Sequence, residues 1–231
     1  MSFVDDFNLI NSRPNEKNGE NAFLFTTECY FLQRDITWFS FLIIALCKMR
    51  IKSGIYEQHP CNCFEGKDKY MSHDQLTAIF ALSYSNKLGH HTEIWKEIKR
   101  QWFRYNNVEI PQTWKEKLVN KRFLHPRDII FYGYCAGSWI WKLALPILWI
   151  FMLVSSAKTY KIRGDQKFIA TDGKLLNFVR LQATRSTSYL WNLQWYINTW
   201  IIKRKFGSWN KVFNIYFPYD QHPCVIASKD I

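Results

Sequence analysis

Residues 129–157 carry a single charged side chain, Lys142, in 29 positions, and any fold of this chain must place that stretch largely away from water. Within it, Leu143–Val154 is apolar throughout apart from Pro146. A membrane-spanning helix needs about 20 such residues. Lys158, Lys161 and Arg163 follow, as they would beside a cytoplasmic leaflet. Three features oppose a span. Gly133, Gly137 and Ser138 break the run near its middle, and no second stretch is equally apolar. Lys142 at the bilayer centre would cost about 2.5–3.5 kcal/mol. The stretch therefore reads as a buried inner helix over Ser138–Ala157, with a membrane the less favoured surrounding.

The rest of the chain is patterned for helices. Nine glycines and seven prolines are too few for a loop-rich β fold. Residues 1–21 read as an extended polar arm. From Ala22, apolar residues recur at three and four spacing through Phe31, and Thr37–Arg50 is apolar on most sides, as in a buried helix. A loop over 52–71 stops at Ser72, which with Gln75 has the spacing of a capping box for a helix Gln75–Asn86. Thr92 suits the cap of a helix Glu93–Tyr105 that turns Ile94, Trp95, Ile98, Trp102 and Tyr105 inward. Pro126 suits a first helical turn, for a helix reaching about Gly137. Thr171 or Asp172 opens a helix through Gln182, Ser186–Phe206 is a last long helix, and Val212–Phe217 is a short apolar segment in the tail.

That makes about eight helices in paired order, polar-faced ones alternating with nearly all-apolar ones, and short links favour antiparallel neighbours. The expectation is an all-α fold of paired antiparallel helices, (α/α)-toroid-like or a multi-helix bundle. It forms a single helical domain over residues 22–231, preceded by the arm 1–21.

Charge is divided unevenly. The formal net charge is +12, yet residues 1–75 hold 8 Lys/Arg against 10 Asp/Glu, leaving 23 against 9 for residues 76–231. Such a split suits an anionic partner in the second part: nucleic acid, a membrane surface or an acidic protein. It equally suits simple solubility. Six cysteines are too few for a disulfide scaffold of this size. The polar, acidic first 20 residues are no signal peptide, which points to synthesis in a reducing cytoplasm.

Four constellations could carry chemistry. Glu28 with Ser72-His73-Asp74-Gln75 offers two carboxylates and an imidazole, the groups for acid–base work at a glycosidic bond. As a cap and a first-turn acid, the second segment needs no such role. His59-Pro60-Cys61-Asn62-Cys63 spaces its thiols by one residue and lacks a second pair, so it reads as a loop with two thiols, and no metal site is expected. His125-Pro126-Arg127-Asp128 could bind an anion or sugar hydroxyls through Arg127 and Asp128, or simply start a helix. Lys203-Arg204-Lys205 with Trp200 and Trp209 joins cations to rings, as single-stranded nucleic acid requires. Cations at a helix C-terminus also complement its dipole. Phosphate-binding and dinucleotide glycine loops are missing from the sequence, and no cofactor is expected.

The segments Glu20-Asn21-Ala22-Phe23-Leu24-Phe25-Thr26 with Glu28, Ser72-His73-Asp74-Gln75-Leu76, and Val212-Phe213-Asn214-Ile215-Tyr216-Phe217 with His222-Pro223 resemble a group of helical proteins encoded by tailed bacteriophages. Those proteins in turn resemble (α/α)-toroid glycan-processing enzymes. The resemblance implies a phage origin and synthesis in the host cytoplasm, and it would bring Glu28, His73 and Asp74 toward one cleft. It leaves two functions open. One is a glycan-directed domain that binds or cleaves a saccharide. The other is a non-catalytic phage component, assembled into the virion, that holds nucleic acid or an acidic virion protein through its basic C-terminal two-thirds.

Overall fold

The computed structural model describes residues 2–17, 19–61, 71–105, 124–158 and 166–231. Among them are eleven helices: α1 (Ala22–Gln33), α2 (Ile36–Met49), α3 (His73–Ser85), α4 (His90–Arg100), α5 (Pro126–Cys135), α6 (Trp139–Leu143), α7 (Leu145–Ala157), α8 (Gln166–Thr184), α9 (Tyr189–Phe206), α10 (Trp209–Tyr216) and α11 (Pro223–Ala227). The fold is all-α. A two-stranded antiparallel hairpin after α2, β1 (Arg50–Lys52) with β2 (Ile55–Tyr56), is the sheet present among the described residues. Gly54 turns this hairpin at φ +75°, and a Cβ there would stand 2.7 Å from the Glu93 carbonyl oxygen.

Helix starts follow the local chemistry of the sequence. Ser72 accepts the Gln75 N–H, Pro126 occupies the first turn of α5, and Ser188 accepts the Trp191 N–H at the head of α9. The capping box is only half formed. The Ser72 N–H goes to Gln58 Oε1, while the Gln75 amide reaches across to the carbonyls of Glu20 and Gln58. The expected α4 is shorter than its pattern, because Trp102 and Phe103 adopt left-handed backbone (φ 56° and 59°). Trp102 consequently faces solvent, whereas Ile94, Trp95, Ile98 and Tyr105 are buried as expected. The expected helix over Ser138–Ala157 is two helices. Pro146 has no N–H with which to continue α6, and the chain restarts at Leu145. Gly133 does not break the run. It lies within α5, where a Cβ would come 2.0 Å from the Trp141 ring, so its missing side chain admits that indole.

Three helices, α1, α3 and α8, pack against one another at the centre. They are buried on all sides over residues 22–31, 75–83 and 174–184, yet they are rich in polar groups, each of which needs a partner. Thr26 accepts the Ile10 N–H at 2.7 Å and donates to the Ala22 carbonyl at 2.8 Å. The Asn177 amide donates to the Met152 carbonyl at 3.1 Å, and Arg180 pairs with Asp128 of α5.

The all-apolar helices lie outside this triad, the reverse of the sequence expectation. In α7 only Leu148, Met152 and Ser156 are buried, and in α2 only Leu42, Ala45, Leu46 and Met49. The buried-helix reading of Ser138–Ala157 is therefore corrected: Ile147, Ile150, Phe151 and Val154 are exposed. About half of each such side chain stays in water, so each forgoes about half of the roughly 1.5–3 kcal/mol that full burial gives.

Residues 2–17 are no free arm, since Leu9 and Ile10 lie in the core. Two His-Pro-Cys tripeptides hold this segment. His59 Nε2 lies 2.8 Å from Asp5 Oδ2, and His222 Nε2 lies 2.9 Å from the Asn11 carbonyl oxygen. Cys61, the cysteine of the first, is disulfide-bonded rather than the thiol expected there.

Candidate functional site

The starts of α3 and α5 lie together, and α8 crosses behind them. The first residue of α3 is His73, the next is Asp74, and the third of α5 is Asp128. His73 Nδ1 is 2.9 Å from Asp74 Oδ1 and 3.7 Å from Asp128 Oδ2. Asp128 is fully buried. Its other oxygen, Oδ1, meets Arg180 of α8, also fully buried, and Arg127 Nε at 3.6 Å. Arg180 further donates to Asn177 Oδ1 at 3.2 Å and lies over the Phe131 ring. The hydroxyls of Thr77 and Tyr132, 2.8 Å apart, both reach the His73 carbonyl oxygen and fix the first turn of α3 against α5. His125 sets its ring edge-on to that of His73, centroids 5.5 Å apart.

The cluster has a buried floor and an open rim. The floor is the Asp128–Arg180 ion pair, which locks α5 to α8. The rim is His73, Asp74 and Arg127, whose side chains are 37%, 16% and 30% exposed. Burial pulls the His73 pKa down, but the hydrogen bond and charge of Asp74, with the charge of Asp128, outweigh it, and the net shift is upward. An imidazolium held against two carboxylates is stabilised in its protonated form, the form that can donate a proton. Arg127 adds planar donors, and Asp74 an acceptor, of the kind that grip hydroxyls or an anion.

The sequence reading treated His73 and Asp74 as one site and Arg127 and Asp128 as another. The structure joins all four. Arg180 was missed, because an arginine in a helix of mixed polarity gives no signal of what it will meet 52 residues away. Glu28 is fully buried on α1, where its charge is felt by the Cys224 thiol of α11. Trp200, Lys203, Arg204 and Lys205 are exposed along α9, with the Arg204 guanidinium 5.5 Å from the centre of the Trp200 ring. Trp209 does not join them. It is buried and stacked on Trp195 at an interplanar angle of 6°.

No known family, curated protein or solved structure matches this chain. The side-chain chemistry of the cluster therefore carries the functional argument. Among the described residues no group of three or more His, Cys, Asp or Glu has the arrangement to hold a metal ion. The acid–base groups His73 and Asp74 and the cation Arg127 are the reactive inventory of the rim.

Proposed function

We propose that this protein is a phage-encoded helical domain that binds or cleaves a glycan at the His73–Asp74–Asp128 cluster. One observation supports the reading above others: a partly exposed imidazole is held by one carboxylate and faces a second, with an arginine beside it. A sugar offers hydroxyls that pair with Asp74 and Arg127. Its glycosidic oxygen is the kind of leaving group that gains from a proton delivered by His73, an effect of roughly 10²–10⁴ in rate. The resemblance of residues 20–28 and 72–76 to tailed-phage proteins supports the phage origin.

The test is a screen of bacterial surface polysaccharides with wild type, His73→Gln, Asp74→Asn and Glu28→Gln. Binding or turnover by wild type that falls about a hundredfold in the first two variants is the expected result. Loss in Glu28→Gln as well would extend the site to α1. No binding and no turnover on any polysaccharide would sink the reading.

The second reading, a non-catalytic phage component that binds nucleic acid or an acidic partner, draws on the exposed Trp200, Lys203, Arg204 and Lys205. It predicts salt-sensitive binding that leaves His73 variants unaffected.

A further inference from the structure

The exposed side of α6, α7 and α9 has a composition that water alone does not account for. Helices α7 and α9 lie against each other, and both rest on α8. Ser156 donates to Asn198 Oδ1 at 2.6 Å, Gln194 to the Trp149 carbonyl at 3.4 Å, and Asn177 of α8 reaches Met152 from below. The polar groups thus face inward, and the faces turned from α8 form one side of the molecule.

Along that side Leu143, Ile147, Ile150 and Val154 make a stripe at helical spacing on α6 and α7. Leu190 and Leu193 continue it on α9. Four rings accompany them, Trp139, Tyr189, Tyr196 and Trp200, between 60% and 79% exposed. Contiguous apolar surface of this kind marks a contact site in a folded protein.

Charge decides between occupants. Because α7 and α9 run parallel, their C-terminal ends share one edge of the face. Lys158 ends α7, and Lys203, Arg204 and Lys205 end α9. From Ile129 to Tyr219 the sequence holds twelve Lys/Arg and two acids, Asp165 and Asp172. A second copy would bring the same cations to this surface and few acids to neutralise them. Nucleic acid would find no polar groups along the aliphatic stripe. An anionic bilayer satisfies the whole pattern: aliphatic side chains enter the acyl boundary, Trp and Tyr rings sit at headgroup level, and Lys and Arg meet phosphate. No helix among the described residues is long and apolar enough to cross a membrane, so the helices would lie in the plane of the surface.

We propose that the outer face of α6, α7 and α9 docks on anionic lipid bilayers, with the basic ends of α7 and α9 set against the headgroups. The inference goes beyond the glycan reading and does not depend on His73 or Asp74.

The experiment is flotation of the full chain with vesicles of phosphatidylcholine alone and of phosphatidylcholine mixed with phosphatidylglycerol, at low and high salt. Wild type should float with the anionic vesicles, less so at high salt, and its tryptophan emission should move to shorter wavelength. Ile150→Glu with Leu193→Glu should lower partitioning at least about tenfold. Lys203→Ala, Arg204→Ala and Lys205→Ala together should remove the preference for anionic vesicles. All five positions are exposed, and circular dichroism and melting of the variants verify the fold. The proposal is overturned by no flotation of wild type, by flotation that the correctly folded variants leave unchanged, or by self-association abolished by the two glutamates without any flotation. Binding of single-stranded DNA with no binding of vesicles would overturn it in favour of nucleic acid.

Discussion

His59 and His222 make the same pair of hydrogen bonds, each inside a His-Pro-Cys tripeptide. In both, Nδ1 accepts the backbone N–H of the cysteine two residues on, at 3.2 Å. That leaves Nε2 to donate, and in both it points at the N-terminal segment, to Asp5 in one case and Asn11 in the other. The His222 ring also lies flat on Phe217, centroids 3.8 Å apart.

An acid limb of stability follows from His222. Burial pushes its pKa down to about 4, only partly offset by the bond to Asn11. The unfolded chain binds the proton more readily, so stability is fully present above the unfolded pKa of about 6.5 and is lost as pH falls toward 4. The loss should reach about 3 kcal/mol, because each tenfold difference in proton affinity between the unfolded and folded chain is worth about 1.4 kcal/mol. Urea melts from pH 7 to pH 4 on wild type and His222→Asn test this. The variant should be less stable at pH 7 and show a shallower slope, and equal slopes would refute the assignment.

At the other titratable site the sign reverses. The folded pKa of His73 is raised, so its contribution is present below the unfolded pKa and disappears as pH rises through the folded value. Asp74→Asn should move the His73 titration downward, as followed by NMR of the ring protons. As a first-turn acid Asp74 should contribute only about 0.3–1 kcal/mol to the helix. Ser72→Ala should cost about 1 kcal/mol through loss of the cap while the His73 titration changes little.

Arg180→Met should be severe. It takes the buried guanidinium away from Asp128 at a fully buried position, where the nearest remaining cationic groups are His73 and Arg127 at 3.7 and 3.6 Å. Breaking a buried pair in this way costs about 3–5 kcal/mol. Adding Asp128→Leu removes the stranded charge and should recover part of that loss, and chemical denaturation of the two single variants and the double variant measures the coupling.

Gly133→Ala is expected to destabilise through crowding alone. A methyl at this position meets the Trp141 ring, and that ring is itself packed edge-on against Trp95 and Phe103. A cost of about 1–3 kcal/mol is expected. Trp141→Leu in the same chain should relieve it, so the two changes should prove non-additive in thermal melts.

Local signals carried much of this fold. Ser72 and Pro126 mark helix starts because a cap acts through the nearest turn of the same chain, and that information is contained in a few neighbouring residues. For the same reason His73, Asp74, Arg127 and Asp128 could be singled out. That they form one cluster could not be read, because it depends on α3 and α5 starting side by side. The position of the apolar helices was misread. Hydropathy states how apolar α7 is, not whether its outer face is covered. The burial of α8 was equally hidden, since Arg180 pairs with Asp128 and Asn177 with the Met152 carbonyl, both distant in sequence.

The His-Pro-Cys pair has a consequence for the order in which the chain is made. Phe3 packs its ring against Tyr219 and His222, and Asn11 is held by His222, so residues near the start of the sequence are completed by residues near its end. On the ribosome Leu9 and Ile10 emerge long before α11 exists to help hold their segment in place. The core can close over them only once α11 has been made, and until then the nascent chain carries an unfinished edge that chaperones, or the protein's own hydrophobic collapse, must shelter.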